Sequence, residues 1–395
     1  MRGLVWVAIF ALLACGDDDG GTDAAVGGDS GTDTGADTGT DSGFDAGFDA
    51  NFDADLPIER ELAEYGEHAV GYATRQVTYE RPDGEGEREL ELHIWYPAEA
   101  SEGPRPRYPF RNSEVGTADG APLDGPFPVI VFSHGHQGIP DVTTFLMEHF
   151  ASHGWLALSP EHTGNTTPDG PERLTSIYYL RPRDVSESLT FMENLADDPL
   201  AGLVGTPAVI SGHSFGGYTA YAVGGALYRD MLAEGCAADE LSDPFCSEID
   251  ADAEAIFAGG LADDRFDLVI GMASGNIALF QNEGVAAIDV PVLQMVAEGD
   301  GNPPGAPGDD PYWAALNGAG DLRVNLIGGD HNSFTDICAR VPGFLDCPDN
   351  DPLEEQVWLR AYTLAFVRAR LFDDAEAAAF LADEPLDSRV EITAP

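Results

Sequence analysis

A mostly parallel α/β sheet, covered by helices on both faces, is the fold class this sequence predicts, and three observations predict it. Short apolar runs recur at Val129–Phe132, Trp155–Leu158, Ala208–Ile210, Leu268–Met272, Val292–Val296 and Leu322–Ile327. Helix-like stretches at about 141–152, 181–196, 217–228 and 353–371 are interleaved with those runs or follow them. The runs are unbroken rather than alternating, as in strands buried on both faces.

Taken in order, the chain opens with Arg2 and an apolar run from Leu4 to Ala14. That run is too short for a bilayer, which needs ~20 residues, and fits the core of a signal peptide. Its ending, Leu12-Leu13-Ala14-Cys15, resembles a bacterial lipobox, which implies cleavage after residue 14 and acylation of Cys15. Residues 15–56 then read as the lipidated cysteine and a disordered tether. Asp recurs every fourth residue from Asp29 to Asp53 with Gly between, and no apolar period exists to build a core. A random coil of this length reaches roughly 35 Å. Calcium binding by the Asp ladder is the other reading, but the ladder lacks the bidentate Glu and fixed turn of an EF-hand loop.

From residue 57 to 395 the chain reads as one catalytic domain. Residues 73–80 and 88–96 form a strand pair around Pro82-Asp83-Gly84. The acidic stretch 229–265, with two cysteines, interrupts the strand–helix rhythm and reads as an insertion near the sheet's rim. The last long helix carries Leu353, Val357, Leu364 and Leu371 on one broad apolar side.

Charge narrows the partners. The chain has 70 acidic against 19 basic residues, all of the latter Arg, for a net charge of −51. Outside the leader and tether, 58 acids still face 18 Arg, a net of −40. Such a surface repels phosphate backbones, so nucleic acid is excluded as a partner. Adaptation to salty surroundings and high-GC codon usage both account for the bias. Apart from Cys15, four cysteines remain in an exported chain, which favours disulfides. The short spacings favour Cys236–Cys246 and Cys338–Cys347. A zinc site is the rival, without a CxxC or nearby His pair to support it.

The chemistry centres on Ser211-Gly212-His213-Ser214-Phe215-Gly216-Gly217. It follows an apolar run and precedes a helical stretch, the strand–turn–helix setting of a Gly-x-Ser-x-Gly nucleophile elbow. Ser214 is the candidate nucleophile, and it needs a general base. Of nine His, only His331 follows Ser214, as the chain order of this elbow's triad requires. The acid belongs on the loop past Val292–Val296, which holds Glu298 and Asp300. Asp300 is favoured because it lies further beyond the strand end, where it can turn toward His331; Glu298 stays open. Two backbone N–H groups must face the developing oxyanion. Phe215 supplies one, and His136, in Ser133-His134-Gly135-His136-Gln137-Gly138, supplies the other. His134 and His136 as metal ligands are the competing reading, but they lack a third partner nearby.

The segment Phe127–Gly135, together with Ala151-Ser152-His153-Gly154-Trp155, Glu161-His162, Gly212–Gly217 and Trp95-Tyr96-Pro97, resembles platelet-activating-factor acetylhydrolases and their dienelactone-hydrolase-like bacterial relatives. The likeness spans about residues 70–370. It implies an α/β-hydrolase fold and hydrolysis of small ester or lipid substrates, often short acyl groups on phospholipids, with no metal or organic cofactor. The absence of Lys, the 229–265 insertion and the loop Asn302–Gly308 depart from that pattern, so the substrate stays open. The expectation is a monomeric serine esterase, held at the membrane of a bacterial cell envelope by its lipid anchor. Polyester hydrolases and peptidases on this fold, and a non-catalytic surface-binding lipoprotein, are the alternatives.

Overall fold

The computed structural model describes residues 57–394 apart from 101–102, 110–111, 114, 119, 171–173, 242–244, 302–309, 342 and 345. The leader, Cys15, the tether and the loop Asn302–Gly308 therefore lie outside the described residues. The strands are β1 (Ala69–Glu80), β2 (Glu87–Ala98), β3 (Gly116–Ala118), β4 (Phe127–Ser133), β5 (Leu156–Pro160), β6 (Val204–His213), β7 (Phe266–Met272), β8 (Val292–Ala297), β9 (Leu322–Leu326) and β10 (Val390–Thr393). They form one sheet in the order β10-β9-β8-β7-β6-β4-β5-β2-β1-β3. The segment from β5 to β9 is parallel throughout. The β1–β2 hairpin joins it antiparallel at one side, and β10 pairs antiparallel at the other.

Successive side chains of a strand point to opposite faces, and the two faces hold separate cores. Val129, Val131 and Ile210 join Tyr178, Leu189 and Tyr218 on one face. Ile130, Phe132 and Val209 join Phe145, Leu359 and Phe366 on the other. Helix Thr175–Glu193 and helix Phe215–Val223 cover the first face, while Thr144–Ser152 and Pro352–Leu371 cover the second.

Three helices differ from the sequence reading. Helix Thr175–Glu193 begins six residues before the expected 181 and runs through Pro182. Proline displaces the carbonyl four residues back, which normally breaks a helix. Here the Tyr178 carbonyl instead accepts from Tyr218 Oη at 2.9 Å, so its lost partner is replaced. Helix Phe215–Val223 stops short of 228 at Gly224 and Gly225, the latter at φ +110°. In Pro352–Leu371 three of the four expected apolar residues, Val357, Leu364 and Leu371, pack into the core, but burial is not confined to one side. Leu353 is 40% exposed, and Val357 and Leu371 are half-buried, whereas every residue from Trp358 to Val367 is buried. The middle of this helix is enclosed on all sides and only its ends emerge. Its start is well marked, with Asp351 accepting from Leu353 N–H, Pro352 in the first turn and Glu354 and Glu355 behind it.

The 229–265 segment forms helices Leu232–Ala237 and Ala251–Ala258 and packs against helix Thr175–Glu193. Thr175 Oγ1 donates to the Phe245 carbonyl, and Phe245 and Phe257 meet Tyr178 and Tyr179 edge-on. Disulfides join Cys236 to Cys246 and Cys338 to Cys347, the pairs their spacing favours.

Candidate active site

β6 delivers Ser214 to a sharp turn before helix Phe215–Val223. Ser214 sits at φ +57°, ψ −117°, a strained conformation for a residue with a side chain. The turn survives because two neighbours lack a Cβ. One on Gly216 would collide with the Ser133 carbonyl, and one on Gly212 with the Gly216 carbonyl. Ser214 N–H donates to Met272 O on β7 at 2.9 Å, which fastens the elbow to the sheet.

The loops after β8 and β9 are zipped together. Glu298 N–H donates to Leu326 O, and Gly299 N–H to Gly329 O. Asp330 caps the short turn His331–Phe334, accepting from His331 N–H at 2.7 Å. This brings three predicted residues into one line. His331 Nε2 lies 3.0 Å from Ser214 Oγ, and His331 Nδ1 lies 2.9 Å from Asp300 Oδ2. Asp300 is buried, whereas His331 keeps 29% of its side chain exposed. Glu298 is exposed and accepts instead from Gly328 N–H at 3.1 Å, turned to the loop rather than to the imidazole. Burial opposes charging of His331, but the hydrogen bond and charge of Asp300, with Asp346 and Asp330 further off, raise its pKa above 6.5.

The loop after β4 passes against Ser214. A Cβ on Gly135 would lie 3.3 Å from Ser214 Cβ. The Gly135 carbonyl accepts from His134 Nδ1–H at 2.8 Å and from Gly138 N–H at 3.1 Å. In a trans peptide that carbonyl and the next N–H point in opposite directions, so the pinned Gly135 carbonyl fixes where His136 N–H aims. Phe215 opens its helix, whose N-terminal end carries positive partial charge. The His136 ring meets the Phe215 ring edge-on at 6.4 Å.

Several residues at this site have partners that no motif reveals. His213 Nε2–H donates to the His331 carbonyl at 2.8 Å. Burial, then the neighbouring His331, lowers its pKa to about 3, so it stays neutral. Behind the β4 loop a second serine–histidine–aspartate chain is fully buried. Ser133 Oγ lies 2.9 Å from His162 Nε2, and His162 Nδ1 lies 2.8 Å from Asp184 Oδ2. Arg88 forks onto Asp184 at 2.7 and 2.8 Å, and Tyr79 Oη adds a third bond at 2.7 Å. Arg181 meets the other end of the chain, at Ser133 Oγ. Ser133 and His162 stand in segments singled out for family likeness, but nothing in their spacing joins them to Asp184 or Arg181.

The family model for chlorophyllase matches residues 120–233, from just before β4 through the elbow. No curated protein matches the chain. Among solved structures, a ferulic acid esterase from Streptomyces cinnamoneus superposes with a TM-score of 0.59 at 19% identity, over 84% of this chain and 98% of that one. The chain has the α/β-hydrolase fold.

Proposed function

We propose that this chain is a serine carboxylic-ester hydrolase working through an acyl-enzyme. The observation that carries the reading is the unbroken line Ser214 Oγ, His331, Asp300 on a strained elbow. In the proposed cycle Ser214 attacks the ester carbonyl while His331 Nε2 takes its proton. Asp300 holds the ring and stabilises the imidazolium. The main-chain N–H groups of His136 and Phe215 receive the oxyanion. His331 then returns the proton to the departing alcohol, and water, deprotonated by the same ring, releases the acid.

The resemblance to platelet-activating-factor acetylhydrolases supports short acyl esters, free or on phospholipids, as the substrate class. The ferulic acid esterase neighbour supports carboxylic-ester chemistry on this fold. Two disulfides support a location outside the cytoplasm, and among the described residues no helix is long and apolar enough to cross a membrane. Anchoring at Cys15 completes this reading, and Cys15→Ser should release the protein from membrane fractions.

The test is turnover of p-nitrophenyl esters from acetyl to dodecanoyl, beside a feruloyl ester and a peptide amide. The proposal expects hydrolysis that is fastest for short acyl groups and vanishes in Ser214→Ala. Cleavage of the amide alone would favour the peptidase reading. No turnover of any of them would favour a binding module.

A further inference from the structure

Arg181 is wholly buried in the middle of helix Thr175–Glu193, yet it carries a guanidinium. Its donors run to four oxygens. Nη1 donates to Asn165 Oδ1 at 2.8 Å, Nη2 to Ser133 Oγ at 3.1 Å and to the His134 carbonyl, and Nε to Thr219 Oγ1 at 3.2 Å. The guanidinium carbon also stacks 4.7 Å above the Phe215 ring. Those partners belong to three segments, the β4 loop, the loop after β5 and helix Phe215–Val223, and Arg181 ties them together. His134 and Ser133 begin the loop that ends in His136, and Asn165 Nδ2 reaches His136 Nδ1 at 2.9 Å. Thr219 Oγ1 in turn donates to the Phe215 carbonyl at 3.2 Å.

Proton positions around this group follow from its neighbours. Asp184, engaged by Arg88, accepts from His162 Nδ1–H, so His162 Nε2 accepts from the Ser133 hydroxyl. Ser133 therefore offers its lone pair to Arg181. His162 N–H donates to His134 Nε2 at 3.2 Å, which leaves His134 Nδ1–H for the Gly135 carbonyl. That carbonyl fixes the direction of His136 N–H, as shown above. Ser133, His134, His162, Asn165, Arg181 and Thr219 are fully buried, and only His136 at the end of the network is partly exposed.

We infer that Arg181 is the positioning residue of the oxyanion hole: one guanidinium clamps the loop bearing His136 to the helix end bearing Phe215. This rests on the reading of the site given under Proposed function. The planar fork matters as much as the charge, because a lysine ammonium cannot meet two segments and stack on a ring at once. Since donors act by their aim at the transition state, a small displacement loses rate while leaving ground-state binding nearly intact.

The test compares Arg181→Met and Arg181→Lys with wild type, each normalised by active-site titration so that only folded enzyme counts. The expected result is a fall in kcat of about 100-fold for Arg181→Met, a smaller fall for Arg181→Lys, and nearly constant KM. The substrate-like trifluoromethyl ketone, which forms an oxyanion on Ser214, should lose affinity by the same factor, while the methyl ketone that forms none should not. The acid limb of the pH–rate profile, set by His331, should stay in place. If Arg181→Met does not fold, Arg181→Lys carries the comparison. Equal kcat and equal trifluoromethyl ketone affinity in a folded variant would overturn the inference, provided turnover still depends on Ser214. Wild-type turnover that survives Ser214→Ala would overturn the site reading and this inference with it.

Discussion

Two serine–histidine–aspartate chains stand on opposite sides of the β4 loop, and their distances are nearly the same. In the open chain, Ser214–His331–Asp300, the two contacts are 3.0 and 2.9 Å. In the buried one, Ser133–His162–Asp184, they are 2.9 and 2.8 Å. Surroundings separate them. His331 is partly open to solvent, and Asp300 beside it raises its pKa against the effect of burial, which favours its taking up a proton. His162 is sealed, and burial first, then the nearby Arg181 charge, lower its pKa to about 3 against the pull of Asp184. A ring so reluctant to be protonated cannot serve Ser133 as a base, and the Ser133 oxygen is already engaged by Arg181. On the proposed reading, access, backbone strain and charge, rather than hydrogen-bond length, are what divide a nucleophile from a scaffold.

The largest expected difference comes from removing each hydroxyl. Ser214→Ala should cost roughly 10⁶-fold in kcat, the scale of losing a triad nucleophile. Ser133→Ala removes a link in the brace behind the loop and should cost about tenfold, with stability lowered by ~1–3 kcal/mol for the unsatisfied partners left behind. Steady-state kinetics and urea unfolding of the two variants read both quantities. Similar losses of turnover in both would erase the distinction.

Next in size is the acid. Asp300→Asn keeps the shape but favours the wrong imidazole tautomer, and should cost roughly 10⁴-fold in kcat. Glu298→Gln, which faces Gly328 instead, should cost about tenfold or less. The reverse order would move the triad acid to Glu298.

The smallest effect is in pH. A base with a raised pKa loses activity as pH falls through that raised value, so the acid limb of kcat/KM should lie above 6.5. His162 and His213 have lowered pKa values, near 3, so in the folded state they resist protons that the unfolded chain would bind below 6.5. Their contribution to stability is therefore present above 6.5 and lost as pH falls toward 3. Activity should fall before the fold weakens, as pH–rate profiles and urea midpoints on the same samples would show. Coincident loss would mean that both rings respond together.

How much of this was legible in the sequence depends on whether a feature is local. The six parallel strands stand out because burial on both faces demands unbroken apolar runs, whereas Gly116–Ala118 and Val390–Thr393 are edge strands too short to leave a pattern. Ser214 announces itself through the glycines its turn requires, and His331 through chain order. Asp300 follows from its place on the loop past β8. Helix Thr175–Glu193 starts six residues before the expected 181, and the tyrosine that replaces the hydrogen bond lost at Pro182 is 36 positions beyond that proline. The Arg181 network was invisible for the same reason. Its members come from β4, the loop after β5, and two helices, and only the folded sheet brings them together. Leu353 misled because periodicity marks an apolar side but not how far a helix is enclosed.

The central claim is that Ser214, and not its buried counterpart, forms the covalent intermediate. Treating the intact protein with a fluorophosphonate and mapping the adduct by peptide mass spectrometry tests it directly. The account predicts one adduct per chain, on Ser214, with Ser133 unmodified and hydrolysis lost in proportion to labelling. An adduct on Ser133, or full labelling of Ser214 with undiminished turnover, would contradict it.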